Sequence, residues 1–285
     1  MTAFIAFVTA FIFANCIHYL KLPGIVALLL IIVFMVWNNH QKHKSRVKET
    51  EKIDIFNLKK IKDPKMAISS TFDHLAHLLK EVRGSFDKTL DALFDQDFDT
   101  LKKQRIRTKR IQTWTNIITA NVFKVLRLLQ KEDAKVSFRY AQTIRRLQKL
   151  SDGYRDIVLR SYTHIGNKHK GLLDVQIEEL KKIKIAMLDI LFKMENSFKK
   201  KEVTDYQNIV HQYHYMREMA DQINVEQIKR IRDDSSKTRL SILFYAIVGD
   251  CLMLAKQNIK LLEIFNESFM LDKQLSKSYA EIDSH

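Results

Sequence analysis

The chain has 285 residues, of which only 6 are glycine and 2 are proline, and it carries a formal net charge of +15. Because a β-rich fold needs many tight turns, this composition excludes that class and favours long helices. The two cysteines, Cys16 and Cys251, are too few for a disulfide framework and too far apart for a CxxC metal or redox site. The positive charge favours an anionic partner: a phospholipid surface, nucleic acid or a small anion.

The first forty residues predict a membrane segment. Between Thr2 and Trp37 the one charged residue is Lys21, and this run is too long for a single straight pass, which needs about 20 residues. The sequence Lys21-Leu22-Pro23-Gly24 supplies a break, which leaves apolar segments at 3–20 and 24–37. We predict a transmembrane hairpin in residues 1–38, with a re-entrant pair and one kinked, tilted helix as the alternatives.

A basic linker follows the hairpin at residues 39–63. Its first part carries four lysine and arginine residues before any acid. The positive-inside rule therefore predicts that this linker and the chain after it lie on the cytoplasmic side of the cell (inner) membrane. We expect membrane lipid to be a partner there, because basic residues near a bilayer attract anionic headgroups. The residues concerned are Lys42, Lys44, Arg46 and Lys48.

Residues 64–271 predict an all-α bundle of six helices, followed by a polar tail at 272–285. Apolar residues recur at spacings of three, four or seven, as in the seam from Leu173 to Phe198, which is typical of helices that pack on other helices. Asp63-Pro64 has the form of a helix start. The break signals, of which HIGNKHKG at 164–171 is the strongest, place the helices at 64–95, 98–131, 134–164, 171–200, 205–232 and 236–271.

Two near-identical stretches suggest an internal duplication. The sequence LDALF at 90–94 returns as LDILF at 188–192, and the same offset of 98 residues carries Glu81 to Glu179 and Asp152 to Asp250. A true duplication holds one offset over several helices. We therefore predict two three-helix repeats, 64–165 and 170–271, packed side by side.

Two further stretches, LQKLSDGYRDIV at 147–158 and FYAIVGDCLMLA at 244–255, resemble the third-helix motif of the PhoU family, the helical regulators of phosphate uptake. With the membrane segment in front, the chain is similar to the C-terminal end of PiT-type inorganic phosphate transporters that carry a PhoU-like extension. The resemblance implies a module of phosphate transport or its regulation. It also implies that the membrane domain or a subunit of the transporter is a binding partner. Inorganic phosphate would be an indirect partner, through the transporter.

The phosphate-binding and cation-binding GANDxxN signatures of those transporters are absent, so by itself this chain is not expected to be the complete transporter. Nucleotide-binding glycine loops, GxSxG and HExxH are also absent, so we expect no enzyme. The alternative function is a membrane-tethered helical scaffold unrelated to phosphate. A homo-oligomer is a further possible assembly of this chain.

In the PhoU family the motif's paired acids hold metal ions. Here Gln148 and Ala246 stand where each repeat would have its first acid, so one motif aspartate per repeat is left, and Asp156 adds a further carboxylate in the first repeat. A hard cation needs several oxygen ligands, so we do not expect a multinuclear cluster. The resemblance leaves a divalent or trivalent metal ion at Asp152, Asp156 and Asp250 as a candidate cofactor site.

Other clusters have two readings. His74 with His77, and His211 with His214, have a helical spacing that can share a metal, although solvated histidines are the commoner case. Arg145 and Arg146 could contact an anion or form salt bridges with neighbouring helices. The run 102–110 has six basic residues that spread around a helix, which favours solvent, lipid or an acidic partner over nucleic acid. We therefore expect no nucleic-acid partner.

Overall fold

The computed structural model describes residues 64–129, 134–203 and 205–282, together with a set of helical positions between Phe7 and Trp37. Within the ranges 64–129, 134–203 and 205–282, side chains are described for residues 69–122, 141–203 and 205–266. The chain divides into two units, Met1–Asn57 and Leu58–His285.

In the first unit the described positions are helical, and their large apolar side chains, from Phe7 to Trp37, are exposed. Lys21, at the predicted break, has a φ of 44°, in the left-handed region that interrupts a regular helix. Most of the predicted hairpin lies outside the described residues, as does the whole basic linker with Lys42, Lys44, Arg46 and Lys48. The number of membrane passes therefore stays a prediction.

The second unit is all-helical over its described residues, as the composition predicted. Its described residues form six helices, five of which begin and end within a few residues of the predicted positions. They are α1 (Pro64–Phe94), α2 (Phe98–Leu129), α3 (Ala134–Gly166), α4 (Asp174–Lys200), α5 (Tyr206–Arg232) and α6 (Thr238–Ile282).

The last helix departs most from the prediction. It continues to Ile282, into the segment that was expected to be a polar tail. No glycine or proline follows Gly249, so the chain contains no strong breaker that would stop the helix at residue 271. Among the described residues, the segment Thr238–Asn266 of this helix is long and apolar enough to cross a membrane, but half of it is buried inside the protein, as in the core helix of a bundle.

Four of the turns between helices contain a residue other than glycine in the left-handed conformation. These residues have φ values between 51° and 56°. In the turn after α4, the N–H of Lys201 donates to the carbonyl of Phe198 at 3.1 Å, and the N–H of Glu202 donates to that of Ser197 at 3.1 Å. Such bonds satisfy the carbonyls that a helix end leaves free. The four residues are Gln96, Lys168, Lys201 and Asp234.

Helices α1 and α4 pack against each other, and so do α3 and α6. We call these two interfaces the α1–α4 seam and the α3–α6 seam. Helix α2 packs on α1 and α3, whereas α5 packs on α4 and α6. An aromatic cluster of Phe72, Phe198 and Phe265, with ring centroids 4.9 to 6.1 Å apart, joins α1, α4 and α6. The two seams therefore share one apolar core.

The α1–α4 seam is crossed by ion pairs in which each cation meets a carboxylate. Arg83 contacts Glu195 at 2.9 Å, and Lys201 contacts Asp73 at 3.1 Å. Lys184, which is only 12% exposed, lies between Asp87 at 2.6 Å and Asp91 at 2.5 Å. From the start of α1 to its end, the paired residues come in the order Asp73, Arg83, Asp87 and Asp91. Their partners come in descending order, Lys201, Glu195 and Lys184, so α1 and α4 are antiparallel.

The predicted offset of 98 residues does not hold along the whole bundle. It would carry the α1–α2 turn at 95–97 onto residues 193–195, but these lie inside α4, which continues to Lys200. Helix α4 therefore runs eight residues past LDILF, whereas α1 ends at the last residue of LDALF. A single constant offset is therefore wrong, and the two three-helix repeats stay a prediction.

Each set of three consecutive helices contains a buried polar network. In the first set, the hydroxyl of Ser85 on α1 bonds both Gln104 on α2 and the hydroxyl of Tyr154 on α3. Burial raises the pKa of Tyr154 to about 12, so its hydroxyl stays protonated. In the second set, Gln176, Gln227, Ser236 and Ser241 bond one another at 2.9 to 3.4 Å.

Candidate functional site

The aspartates singled out by the third-helix motif lie on α3 and α6, the two helices of the α3–α6 seam. Arg155 contacts Asp152 at 2.8 Å and Asp156 at 3.1 Å along α3. The Nε of Arg160 donates to Oδ2 of Asp250 at 2.7 Å, and this bond crosses from α3 to α6. The structure therefore places each of these three carboxylates beside a guanidinium group.

Asp250 is the most buried of the three aspartates. Its pKa is raised, first because burial disfavours the charged carboxylate and further because the charge of Asp156 is near; the Arg160 guanidinium opposes this rise. The charge of Asp156 on α3 therefore acts on Asp250 on α6. The guanidinium group of Arg160 stabilises the charged carboxylate of Asp250, which burial alone would disfavour.

These residues do not fit a metal centre. A divalent or trivalent cation needs several free oxygen ligands, whereas Asp152, Asp156 and Asp250 are each paired with arginine. Across the residues that the structure describes, no group of three or more histidine, cysteine, aspartate or glutamate side chains is arranged to hold an ion. Bound here, a cation would have to compete with two guanidinium groups.

The histidine pairs have ordinary packing contacts. The ring of His77 packs on Trp114 at 4.9 Å, and His74 is buried. His214 packs on Tyr213 at 5.6 Å. Cys251 is buried in α6, where burial raises the pKa of its thiol and keeps it protonated.

The predicted anion-contact arginines have different surroundings. Arg146 donates from Nη1 to Oε1 of Gln257 on α6 at 3.1 Å, so it helps to hold the α3–α6 seam. Arg145 is exposed and makes no hydrogen bond or ion pair with another described residue. In the run 102–110, Arg107 bonds Glu81 and Arg105 packs over the Tyr162 ring at 4.6 Å, so both have roles within the first three helices.

The structure also contains a site that the sequence did not predict. A cleft of about 390 Å³ opens between the C-terminal part of α3, the turn after it, and the first turns of α6. We call it the basic cleft. Its lining includes two arginines and two histidines but no carboxylate, and it consists of Leu159, Arg160, Thr163, His164, Asn167, His169, Arg239, Ile242, Leu243 and Ala246.

The histidine side of the basic cleft is held by its own turn. The Nε2 of His164 lies 2.9 Å from the carbonyl of Lys170, to which it donates, and its ring lies 5.2 Å from that of His169. Burial lowers the pKa of His164 and so favours the neutral ring. Lys168 has a φ of 54°, and the N–H of Asn167 donates to the carbonyl of Thr163 at 3.0 Å.

Two glycines allow this turn to approach the turn between α1 and α2. A Cβ at Gly166 would lie 2.9 Å from the ring of Phe98, and one at Gly171 would lie 2.5 Å from Nε2 of the Gln96 side chain. The stretch HIGNKHKG was recognised in the sequence as a strong helix break. Its part in a cleft was missed because the opposite wall, at Arg239, is some 70 residues farther along the chain.

Comparisons with known proteins bear on the fold. No family model matches the sequence, and no curated protein matches it. The phosphate transport system regulatory protein PhoU from Streptococcus pneumoniae has a similar structure, with a TM-score of 0.59 and 15% identity over 71% of this chain and 95% of that one.

The crystal structure of PhoU from Pseudomonas aeruginosa is similar too, with a TM-score of 0.62 and 11% identity over 71% of this chain and 97% of that one. Sequence identities of 11 to 15% support a shared fold and nothing further. Both PhoU chains are covered almost completely, so the likeness extends beyond a pair of helices. The described helical bundle has a PhoU-like fold.

Proposed function

We propose that this chain is a membrane-anchored, PhoU-like regulatory module of inorganic phosphate transport. In this proposal residues 1–38 form a transmembrane hairpin, residues 39–63 lie at the cytoplasmic face, and two three-helix repeats form the bundle behind them. The bundle binds the membrane domain or a subunit of a phosphate transporter. Its position on that partner alters the permeation pathway.

One observation carries the proposal: the bundle reproduces nearly the whole length of two PhoU structures, one of which is described as a phosphate transport system regulatory protein. Low identity is expected where an all-helical fold is held by apolar seams, since hydrophobic residues of about the right size can replace one another. The third-helix stretches at 147–158 and 244–255 lie on α3 and α6, where the motif was expected.

The apolar N-terminal segment supports the anchor. Its described large apolar side chains, among them Phe11, Leu30 and Phe34, are all exposed, with Leu30 64% exposed. A run of exposed apolar side chains of this kind is stable in contact with lipid and costly in contact with water. The four cations at 42–48 would then lie at the headgroup level.

Regulation by such a module requires two arrangements of the bundle and its partner. A ligand or partner shifts their populations only if it binds one arrangement more tightly than the other. The α3–α6 seam offers contacts that could differ between the two arrangements, among them Arg160 with Asp250 and Arg146 with Gln257.

The test is phosphate uptake in the cells that normally make this chain. Uptake of labelled phosphate is measured at low and high external phosphate in cells with the intact gene, with the gene deleted, and with a copy lacking residues 64–285. We expect both deletions to change the rate or its dependence on phosphate, and the full chain to restore it. No change in rate, substrate dependence or regulation would overturn the proposal and favour a scaffold unrelated to phosphate.

A second pair of chains tests the anchor separately. The full chain and a chain that begins at residue 39 are followed by membrane fractionation at high salt. We expect the full chain to stay with the membrane and the shortened chain to be released. Retention of both would show that residues 1–38 are not the anchor.

A further inference from the structure

We propose that the basic cleft binds a small organic phosphate, that is, a phosphate ester with an apolar body. The first argument is charge. Arg160, His164, His169 and Arg239 line the cleft, and no described aspartate or glutamate lines it. Arg160 has a counter-ion in Asp250 and burial favours the neutral ring of His164, whereas Arg239 has no ion-pair partner among the described residues. In the α1–α4 seam, by contrast, the cations that cross the interface are paired with carboxylates of the facing helix. The unpaired charge of Arg239 favours an anionic ligand.

The second argument is the orientation of Arg160. Its Nε donates to Asp250 at 2.7 Å, and its two terminal nitrogens make no hydrogen bond to another described residue. Asp250 therefore holds one edge of the guanidinium group and leaves the other edge available. A planar guanidinium presented in this way binds two oxygens of a phosphate group at once.

Arg239 supplies a second cation from the opposite wall. It is exposed, has no hydrogen bond or ion pair with a described residue, and lies in the first turn of α6. The first N–H groups of a helix lack carbonyl partners and carry partial positive charge. No acidic residue is present in this first turn to compensate that charge.

The third argument is size and polarity, which together select the class of phosphate. A volume of about 390 Å³ lies in the range of pockets that hold small organic ligands and is much larger than orthophosphate needs. Part of the lining is apolar, with Leu159 from α3 and Ile242, Leu243 and Ala246 from α6, and Ile242 is 62% exposed. Covering these apolar side chains with the apolar part of a ligand adds binding energy that orthophosphate lacks.

Such a ligand would contact α3 through Arg160 and α6 through Arg239. It would therefore join the two helices of the α3–α6 seam and favour the arrangement in which they are close. Binding is independent of the transport role; only this regulatory consequence rests on the proposed function. The cleft would then be the place where a soluble phosphorylated metabolite acts on the bundle.

The test is calorimetric titration of the full chain, in nonionic detergent at physiological salt, with phenyl phosphate, orthophosphate and phenol. Arg239→Gln removes a cleft cation that has no structural partner. Arg145→Gln is the matched control, because it removes an exposed, unpaired arginine of α3 outside the cleft. Arg160→Lys keeps the charge near Asp250 but loses the second edge of the guanidinium group.

We expect phenyl phosphate to bind more tightly than orthophosphate, and phenol to bind weakly or not at all. Arg239→Gln and Arg160→Lys should each weaken phenyl phosphate about tenfold or more, whereas Arg145→Gln should not. Absence of phenyl phosphate binding at millimolar concentration would overturn the proposal. So would equal weakening by Arg145→Gln, or equal affinity for orthophosphate. If phenyl phosphate binds but uptake is unchanged when the gene is deleted, the site stands and the transport role fails.

Discussion

The α1–α4 seam and the α3–α6 seam are each formed by two antiparallel helices, but their charges are arranged differently. Across the first, Arg83, Lys184 and Lys201 each meet a carboxylate of the other helix. Across the second, Arg160 meets Asp250, while Arg239 has no acidic partner among the described residues and lines a cleft. Whether an arginine or lysine of this bundle is part of an ion pair or is accessible to a ligand therefore depends on whether the helix opposite it presents a carboxylate.

The largest effect is expected in the core that both seams share. Phe198→Ala should lower the free energy of unfolding by about 3–5 kcal/mol, because the ring is fully buried against Phe72 and Phe265. Chemical denaturation of the full chain measures it. Phe192→Ala is the control, since that ring lies on the same helix but is 48% exposed. Equal losses for both variants would mean that the aromatic cluster does not hold the seams together.

The ion pairs of the α1–α4 seam should come next. Lys184→Met keeps the length of the side chain but removes the charge that bridges Asp87 and Asp91, so we expect a loss of about 1–2 kcal/mol in the free energy of unfolding. Lys181→Met, which removes an exposed lysine paired only within α4, should change little. If both variants behave alike in denaturation, the seam's charges are not structural and the contrast with the α3–α6 seam fails.

A smaller effect is expected at Asp250 in the α3–α6 seam. Asp250→Asn should change the free energy of unfolding at neutral pH by about 1 kcal/mol or less, because burial already disfavours the carboxylate that Arg160 stabilises. The exposed Asp152→Asn is the control. A loss above that of Lys184→Met would show that this seam is as dependent on charge as the first.

The same variant has a pH signature. The pKa of Asp250 is raised above its ordinary value of 3.8, so the folded chain holds this proton more tightly than the unfolded chain does. Its contribution to stability is therefore favourable at low pH and decreases as the pH rises from 3.8 through the folded pKa. Denaturation of the wild type and Asp250→Asn between pH 3 and 7 should show this decrease in the wild type alone. A difference of the opposite sign would contradict the burial argument.

The smallest effect is expected outside both seams and provides a baseline for them. Asp234 has a φ of 51° in the turn before α6, a conformation that glycine adopts at lower cost. Asp234→Gly should raise the free energy of unfolding by about 0.5–1 kcal/mol. Asp233→Gly should not, because Asp233 has a φ of −85°. Thermal denaturation compares the two, and a loss of stability in both would show that the turn is not strained.

Much of the helical organisation could be predicted from the sequence. The scarcity of glycine and proline, the apolar spacing and the break at HIGNKHKG place five of the six helices within a few residues of their observed ends. The end of α6 could not be predicted, because a polar stretch without a breaker is compatible with either a helix or a tail. The turns at Gln96 and Lys201 use residues whose types carry no turn signal.

The candidate site was predictable only in part. The motif led to Asp152, Asp156 and Asp250, but the arginines that neutralise them were not foreseen as their partners. The basic cleft was missed entirely, since His164 and Arg239 belong to different helices and neither stands in a recognisable motif. Nothing local in either segment indicates that the other lies beside it.

Apolar periodicity, caps and breakers act over a few residues of chain, so they are enough to predict that this protein is helical and where its helices begin. Which helices face each other, and with that which cations are paired and which line a cleft, depends on how distant segments pack. The physical reason is range: helix formation depends on neighbours three or four residues away, whereas a charge is neutralised by whatever side chain the packing of distant segments places beside it.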